Sequence, residues 1–184
     1  MNFRGDKVSE SYETKTEIHV STSIEAIGSI VTILIPIVAI IMLVVMPVAI
    51  YETILNFYFF GDTFIQVVGM FFYVGGAALL YWSARYLGKF DSGKIAATQD
   101  HVLIESGPYA RVRHPGYTAT FLMALAVFLI LLNVLLIVNL VAIVLYYLYR
   151  AKLEEKLLLS EDGFSDQYLS YMSRTGRFFP KLRA

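Results

Sequence analysis

The chain has 184 residues, 57% of them apolar and only 16% charged, with fifteen basic residues balancing fifteen acidic ones. That composition lies well away from the soluble average, and the balanced charge leaves no basic field to attract nucleic acid. With no cysteine in the chain, disulfides, thiolate metal sites and a cysteine nucleophile are excluded.

The first apolar tract runs from Ile24 to Tyr51 and carries Pro36 and Pro47. A signal-peptide core would be roughly 7–15 residues long and would follow a short basic start. Here a long mixed polar segment comes first, so the tract reads as a membrane span. The second runs from Phe64 to Tyr86. Gly69, Gly75 and Gly76 offer it a close-packing face, and Trp82 and Tyr86 suit the membrane interface. The segment Arg85–Pro115 follows, punctuated by Gly88, Gly93, Gly107 and Pro108, which predicts a structured loop rather than a long helix. Its apolar Val102, Leu103 and Ile104 are expected to dip to the membrane surface.

Gly116 to Tyr149 is 34 residues without a charge, about 51 Å of helix at ~1.5 Å per residue. A hydrocarbon core of ~30 Å cannot take that as one helix within the usual tilt. A hairpin turning at Asn133 fits better, with arms of about 16 residues, slightly short of the ~20 expected of a span. Beyond it, Asn139, Ile143, Tyr146, Arg150 and Glu154 are spaced 4, 3, 4 and 4 apart and form one stripe of a helix leaving the fourth span. By itself an Arg–Glu pair at i,i+4 is a surface ion pair worth a few tenths of a kcal/mol. Leu153, Leu157 and Leu158 extend an apolar face, which predicts a helix lying along the membrane surface. The basic and aromatic end "RTGRFFPKLR" reads as a membrane-surface anchor.

Four spans place all fifteen basic residues on one side. Arg4, Lys7 and Lys15 precede the first span, and Arg85, Lys89, Lys94, Arg111 and Arg113 fall between the second and third. The remaining seven follow the fourth. The positive-inside rule makes that side cytoplasmic, with both termini on it. A three-span chain would export one of the basic groups.

His19, His101 and His114 form no metal-ligand set, and no metal is expected. Neither G-x-S-x-G, G-x-G-x-x-G nor a P-loop occurs. "RHPGY" has a plain reading as a helix start, with Pro115 at the first helical position and Arg113 and a tyrosine snorkelling outward. That reading leaves the upstream Gly-Pro-Tyr and the charged pair after the hairpin unexplained.

The string "HVLIESGPYARVRHPGY", an apolar hairpin, "RAKLEE", "DQYLSYMSR" and "RFFP", in that order, resembles the isoprenylcysteine carboxyl methyltransferase family. More broadly it resembles the integral-membrane methyltransferases that include phospholipid N-methyltransferases. The likeness runs from about Gly88 to Pro180; the first two spans match in character only. It implies an all-α integral membrane fold of four transmembrane helices, the last two a hairpin. A cytoplasmic loop and a C-terminal helix would form the cofactor pocket. The chain then divides into a cytoplasmic segment (1–23), two transmembrane helices (24–87) and a methyltransferase core (88–184).

The resemblance implies S-adenosylmethionine as cofactor. It would be contacted by His101, Val102, Leu103, Ile104, Tyr109, His114, Pro115, Gly116, Tyr117 and Glu154, with Arg150 meeting a carboxylate on a lipophilic, isoprenoid or lipid-linked substrate. A carboxylate such as Glu154 suits the cofactor's ammonium and ribose hydroxyls, and His114 or loop N–H groups its carboxylate. Tyr109 and Tyr117 suit the adenine face and the sulfonium. Three alternatives remain open: an amine acceptor such as a phosphatidylethanolamine headgroup, with Glu155 as the acidic partner; an NADPH-dependent isoprenoid or sterol reductase; and a non-catalytic binding protein.

Overall fold

Pro36 has no N–H to offer the residue four positions back. In the computed structural model the helix that contains it, α1 (Thr22–Val45), opens into a wider π-helical turn at Ile30–Leu34 just ahead of the proline. The structure describes residues 14–17, 20–46, 55–88, 96–98, 103–160 and 164–181. After α1 come α2 (Asp62–Leu87), a 3₁₀ turn (Gly107–Ala110), α3 (Pro115–Leu131), α4 (Val134–Leu158) and α5 (Ser165–Arg174). Among the described residues the helical architecture is interrupted by an antiparallel pair absent from the all-α expectation. Strand β1 (Thr14–Glu17) pairs with β2 (Ala96–Thr98), with an irregularity between Thr14 and Thr16. The N-terminal segment is thus tied to the central loop.

Among the described residues three helices, α1, α2 and α4, are long and apolar enough to cross a bilayer, and the chain is an integral membrane protein. At 17 residues α3 falls short, about 25 Å of helix against a core of ~30 Å. The hairpin turns at Asn133 as expected, but its arms are unequal, because α4 runs on without a break through Arg150 and Glu154 to Leu158. At the turn the Asn133 side chain accepts from Leu135 N at 3.0 Å, capping α4. The adjoining Leu132 takes a left-handed φ of 49°. The segment before α2 satisfies this turn. Phe57 N donates to Leu132 O and Val134 N to Leu55 O, both at 2.9 Å, and Asn133 Nδ2 donates to Asn56 Oδ1 at 2.5 Å. Backbone groups near the hydrocarbon need such partners.

Helices α2 and α3 pack along small residues. A Cβ on Gly69 would lie 3.1 Å from Ala126 O, and one on Gly76 would lie 3.1 Å from Ala119 O and 2.7 Å from Met123 Cγ. One residue away, Gly75 faces open space, so it is not part of the close-packing face. Gly76→Val is expected to cost roughly 1–3 kcal/mol by overpacking, and Gly75→Val a few tenths. The two detergent melting curves give the comparison. On the other side, Ile143 of α4 is buried against Val31 and Ala124. Leu157 and Leu153 pack on Val20 and Ile24. The apolar face expected to lie on the membrane surface is therefore covered in part by the start of α1.

Candidate active site

Pro115 opens α3, needing no partner for its missing N–H, and the residue before it, His114, occupies the N-cap position. Its side chain makes no cap because it is engaged elsewhere. Nδ1 lies 3.3 Å from Glu154 Oε2, and Nε2 lies 3.3 Å from Glu155 Oε1. The ring is 8% exposed and stacks on Tyr117, with centroids 5.3 Å apart and planes at 2°. Burial draws the imidazole pKa down, but the two carboxylates outweigh it and hold the value above the usual 6.5.

The predicted α4 stripe turns inward, whereas its spacing alone reads the Arg–Glu pair as a surface one. Ile143 and Asn139 are buried in the bundle, and Arg150 and Glu154 sit where the stripe reaches the loop. Glu154 collects three partners from two helices: Tyr117 Oη donates to its Oε1, His114 faces its Oε2, and an Arg150 guanidinium nitrogen lies 3.7 Å from Oε1. Arg150 also donates to Tyr146 Oη at 3.5 Å. The side chains of Arg150 and Glu154 keep 15% and 22% of their exposure, so the carboxylate is partly open to a ligand. Tyr117 meets Tyr147 at 4.4 Å between centroids, and Tyr147 meets Tyr146 at 5.0 Å. These rings make an aromatic wall beside the Arg–Glu pair. Tyr146 reaches its place because Gly28 leaves room on α1: a Cβ there would lie 2.0 Å from its ring.

A second carboxylate, on the next residue, organises the surroundings. Glu155 is only 3% exposed. It accepts from Arg113 Nε at 2.9 Å and Arg177 Nε at 3.1 Å, and a second Arg177 nitrogen reaches its Oε2. Arg113 therefore points inward rather than snorkelling. Its Nη1 also donates to Thr175 O at 2.6 Å, where a guanidinium suits the end of α5. The C-terminal tail is likewise more than a membrane anchor. Arg113 N donates to Gly176 O at 2.9 Å, His114 N to Arg177 O at 3.0 Å and Gly176 N to Arg111 O at 3.1 Å, while Thr118 Oγ1 donates to Phe178 O at 2.7 Å. The tail lies as an extended strap along "RVRHP".

Tyr109 lies in the 3₁₀ turn, where its carbonyl accepts from Tyr171 Oη at 2.6 Å. Gly107, at φ 61°, leaves space for the Tyr86 ring. Leu103 and Ile104 are half-buried in the extended segment before it, Pro115 is buried, and Gly116 starts α3 beside it. His101 and Val102 lie outside the described residues. The structure thus brings His114, Tyr117, Arg150 and Glu154 into one contact network, with Tyr109 tied to it through α5. Sequence reasoning missed the roles of Glu155, Arg113 and Arg177. Among the described residues no cluster of histidines and carboxylates could hold a metal.

Below the network, an apolar cleft of about 290 Å³ opens between α1, α2 and α3. Thr32, Thr120, Met123, Val127 and Ile143 line it. Thr120 and Met123 lie one and two turns along α3 from Tyr117, so the cleft continues the site toward the bilayer interior.

Residues 67–160 match the family model of the isoprenylcysteine carboxyl methyltransferases. The protein-S-isoprenylcysteine O-methyltransferase of Saccharomyces cerevisiae is 34% identical over 88 residues, 47% of this chain and 36% of that protein. Its counterpart from Tribolium castaneum is 36% identical over 84 residues, 45% of this chain and 29% of that protein. The alignments thus span about a third of these relatives' length. A solved structure of a eukaryotic intramembrane Ras methyltransferase, an isoprenylcysteine carboxyl methyltransferase, superposes with a TM-score of 0.62 at 23% identity. The superposition covers 89% of this chain and 54% of that one and shows a common fold. With a match over half the chain, and the HPGY turn and the α4 carboxylates meeting in space as one site, this chain belongs to the isoprenylcysteine carboxyl methyltransferase family.

Proposed function

We propose that the chain is a membrane-embedded methyltransferase that uses S-adenosylmethionine to esterify a carboxylate on an isoprenyl- or other lipid-linked acceptor. The observation that carries this reading is the α4 stripe. A guanidinium and a partly exposed carboxylate stand one turn apart on it, above an apolar cleft on the same side. When bound, S-adenosylmethionine supplies a methyl group on a sulfonium.

The residues present suit that group. Glu154 is a carboxylate for its ammonium or ribose hydroxyls, oriented by the contacts it makes to Tyr117 and His114. Tyr117 and Tyr147 offer ring faces to a sulfonium, a contact worth roughly 0.5–2 kcal/mol. The family resemblance adds His101, Val102, Leu103, Ile104, Tyr109, Pro115 and Gly116 as the remaining wall. Arg150 holds the acceptor carboxylate in its fork. No base is required, because a carboxylate is ionised at neutral pH; placement and exclusion of water do the work. The acceptor's tail occupies the cleft lined by Thr120 and Val127. In the bilayer α3 serves as the fourth span, both termini and the site face the cytoplasm, and residues 88–184 form the catalytic core.

An amine acceptor would need a proton removed and would be repelled by Arg150. The two chemistries separate cleanly in a methyl-transfer assay with radiolabelled cofactor, an S-prenylcysteine acceptor and phosphatidylethanolamine vesicles. The expected product is a methyl ester on the prenylcysteine, released as volatile methanol by alkali. An alkali-stable product on the vesicle amine would overturn the carboxylate reading. Calorimetric titration with S-adenosylhomocysteine tests the pocket itself, and absence of binding would remove the methyl-transfer reading altogether.

A further inference from the structure

Both ring nitrogens of His114 face carboxylate oxygens at 3.3 Å. A neutral imidazole has one N–H and one lone pair. In that form it would turn the lone pair toward one of the two anions, so the geometry calls for a ring that donates from both nitrogens. Glu155 is the next residue on α4. Almost fully buried, it would be costly as a lone charge, and it takes Arg113 and Arg177 as partners. Glu154 is left with His114, Tyr117 and Arg150. The adjacent carboxylates are thereby sorted, one enclosed by two guanidiniums and one facing the open side.

We propose that Glu155 is a positioning residue that holds His114 in its doubly donating form, and through it aims Glu154 at the ligand, while fastening the C-terminal strap across the same group. The ligand of Glu154 rests on the methyl-transfer reading; the arrangement of His114 does not. The groups facing His114 are Arg113 and Tyr117 from its own segment, Glu154 and Glu155 from α4, with Arg150 behind Glu154, and Phe178 and Arg177 from the strap. Arg177 bonds to the same Glu155 oxygen as the ring does. It is therefore a cation that competes with the imidazolium for one anion, and the two arms of the pair have opposite effects. Removing the anion makes the ring easier to deprotonate, and removing the competing cation makes it harder.

The test is histidine-labelled NMR of the full chain in detergent micelles. The chain has only three histidines, His19, His101 and His114, and H114Q identifies the signal. In the wild-type protein His114 is expected to titrate above the ordinary imidazole value of 6.5. E155Q should move its midpoint down by roughly 1–3 on the pH scale, and R177Q should move it up. A purely structural role for Glu155 would not reverse sign between these variants. An unmoved midpoint in folded E155Q, or a downward move in R177Q, would overturn the proposal. If E155Q does not fold, R177Q, whose side chain is 34% exposed, still decides by the direction of its shift. Because its pKa is raised on folding, His114 stabilises the fold fully below about 6.5 and loses that contribution as pH rises through the elevated value. The wild-type melting temperature should follow that course, and that of H114Q should not. S-adenosylhomocysteine titration of the same samples reports on the cofactor reading separately: a chain that binds none can still show the opposed shifts.

Discussion

Arg150→Gln is expected to lower methyl transfer to a lipid-linked carboxylate about a hundredfold while leaving S-adenosylhomocysteine affinity within a few-fold of wild type. The first effect follows from removing the only charge proposed to meet the acceptor. Losing one partner of a desolvated ion pair costs roughly 2–5 kcal/mol, and about 2.7 of those is a factor of a hundred. The second follows from the contacts of Glu154, whose other partners, Tyr117 and His114, belong to α3 and its N-cap and survive the substitution. Arg150→Lys is expected to fall between the two, since an ammonium keeps the charge but loses the planar fork that matches a carboxylate. Initial rates at varied acceptor, set beside calorimetric titration of each variant, make the comparison. Equal losses of turnover and of cofactor affinity would place Arg150 on the cofactor. A gain in transfer to an amine acceptor would reverse the sign of its proposed role, because a cation beside an amine hinders the charge that develops on methylation.

How far the site could be read in the sequence depends on whether its residues share a helical period. Ile143, Tyr146, Arg150 and Glu154 do, and one stripe along a helix follows from their spacing. The inward turn of its polar end does not, since an Arg–Glu pair at that spacing alone reads as a surface ion pair. The turn at Asn133 follows from bilayer thickness. The same period could have separated Gly69 and Gly76 from Gly75. Two glycines seven apart share a line along the helix, and the third is about 100° round from its neighbour. Glu155 was legible as a charge but not as a hub, because its partners Arg113 and Arg177 lie 42 and 22 residues away. No local pattern links positions so distant. The tail shows the same limit: "RTGRFFP" has the composition of a membrane-surface anchor, and its other use comes from the buried anion opposite Arg177 and the backbone pairing with "RVRHP". Strands β1 and β2, of four and three residues, are too short to show alternation. The loop and strap, where tertiary pairing replaces periodicity, therefore held most of what the sequence did not disclose.

Glu154→Gln is expected to weaken S-adenosylhomocysteine binding ten- to a hundredfold, and to do so with little loss of stability. A hydrogen bond to a charged group is worth roughly 1.5–3 kcal/mol, and this carboxylate is proposed to face the ligand's ammonium or ribose. The fold should tolerate the change because the side chain retains 22% of its exposure and the amide can still accept from Tyr117. Tyr117→Phe removes only a donor that orients the carboxylate, so its cost should be smaller, within about tenfold. Glu155→Gln supplies the contrast, since it leaves two buried guanidinium contacts without their anion and should lower the melting temperature more than Glu154→Gln does. The pair of adjacent glutamates thus separates ligand affinity from stability in one experiment, titration and melting of the two amide variants side by side. If Glu154→Gln binds as tightly as wild type, Glu154 is not the ligand carboxylate. If both variants lose stability equally, the division of labour between a buried anion and an exposed one is wrong. The geometry favours the division, because two guanidiniums from separate segments close on one carboxylate and leave its neighbour partly exposed.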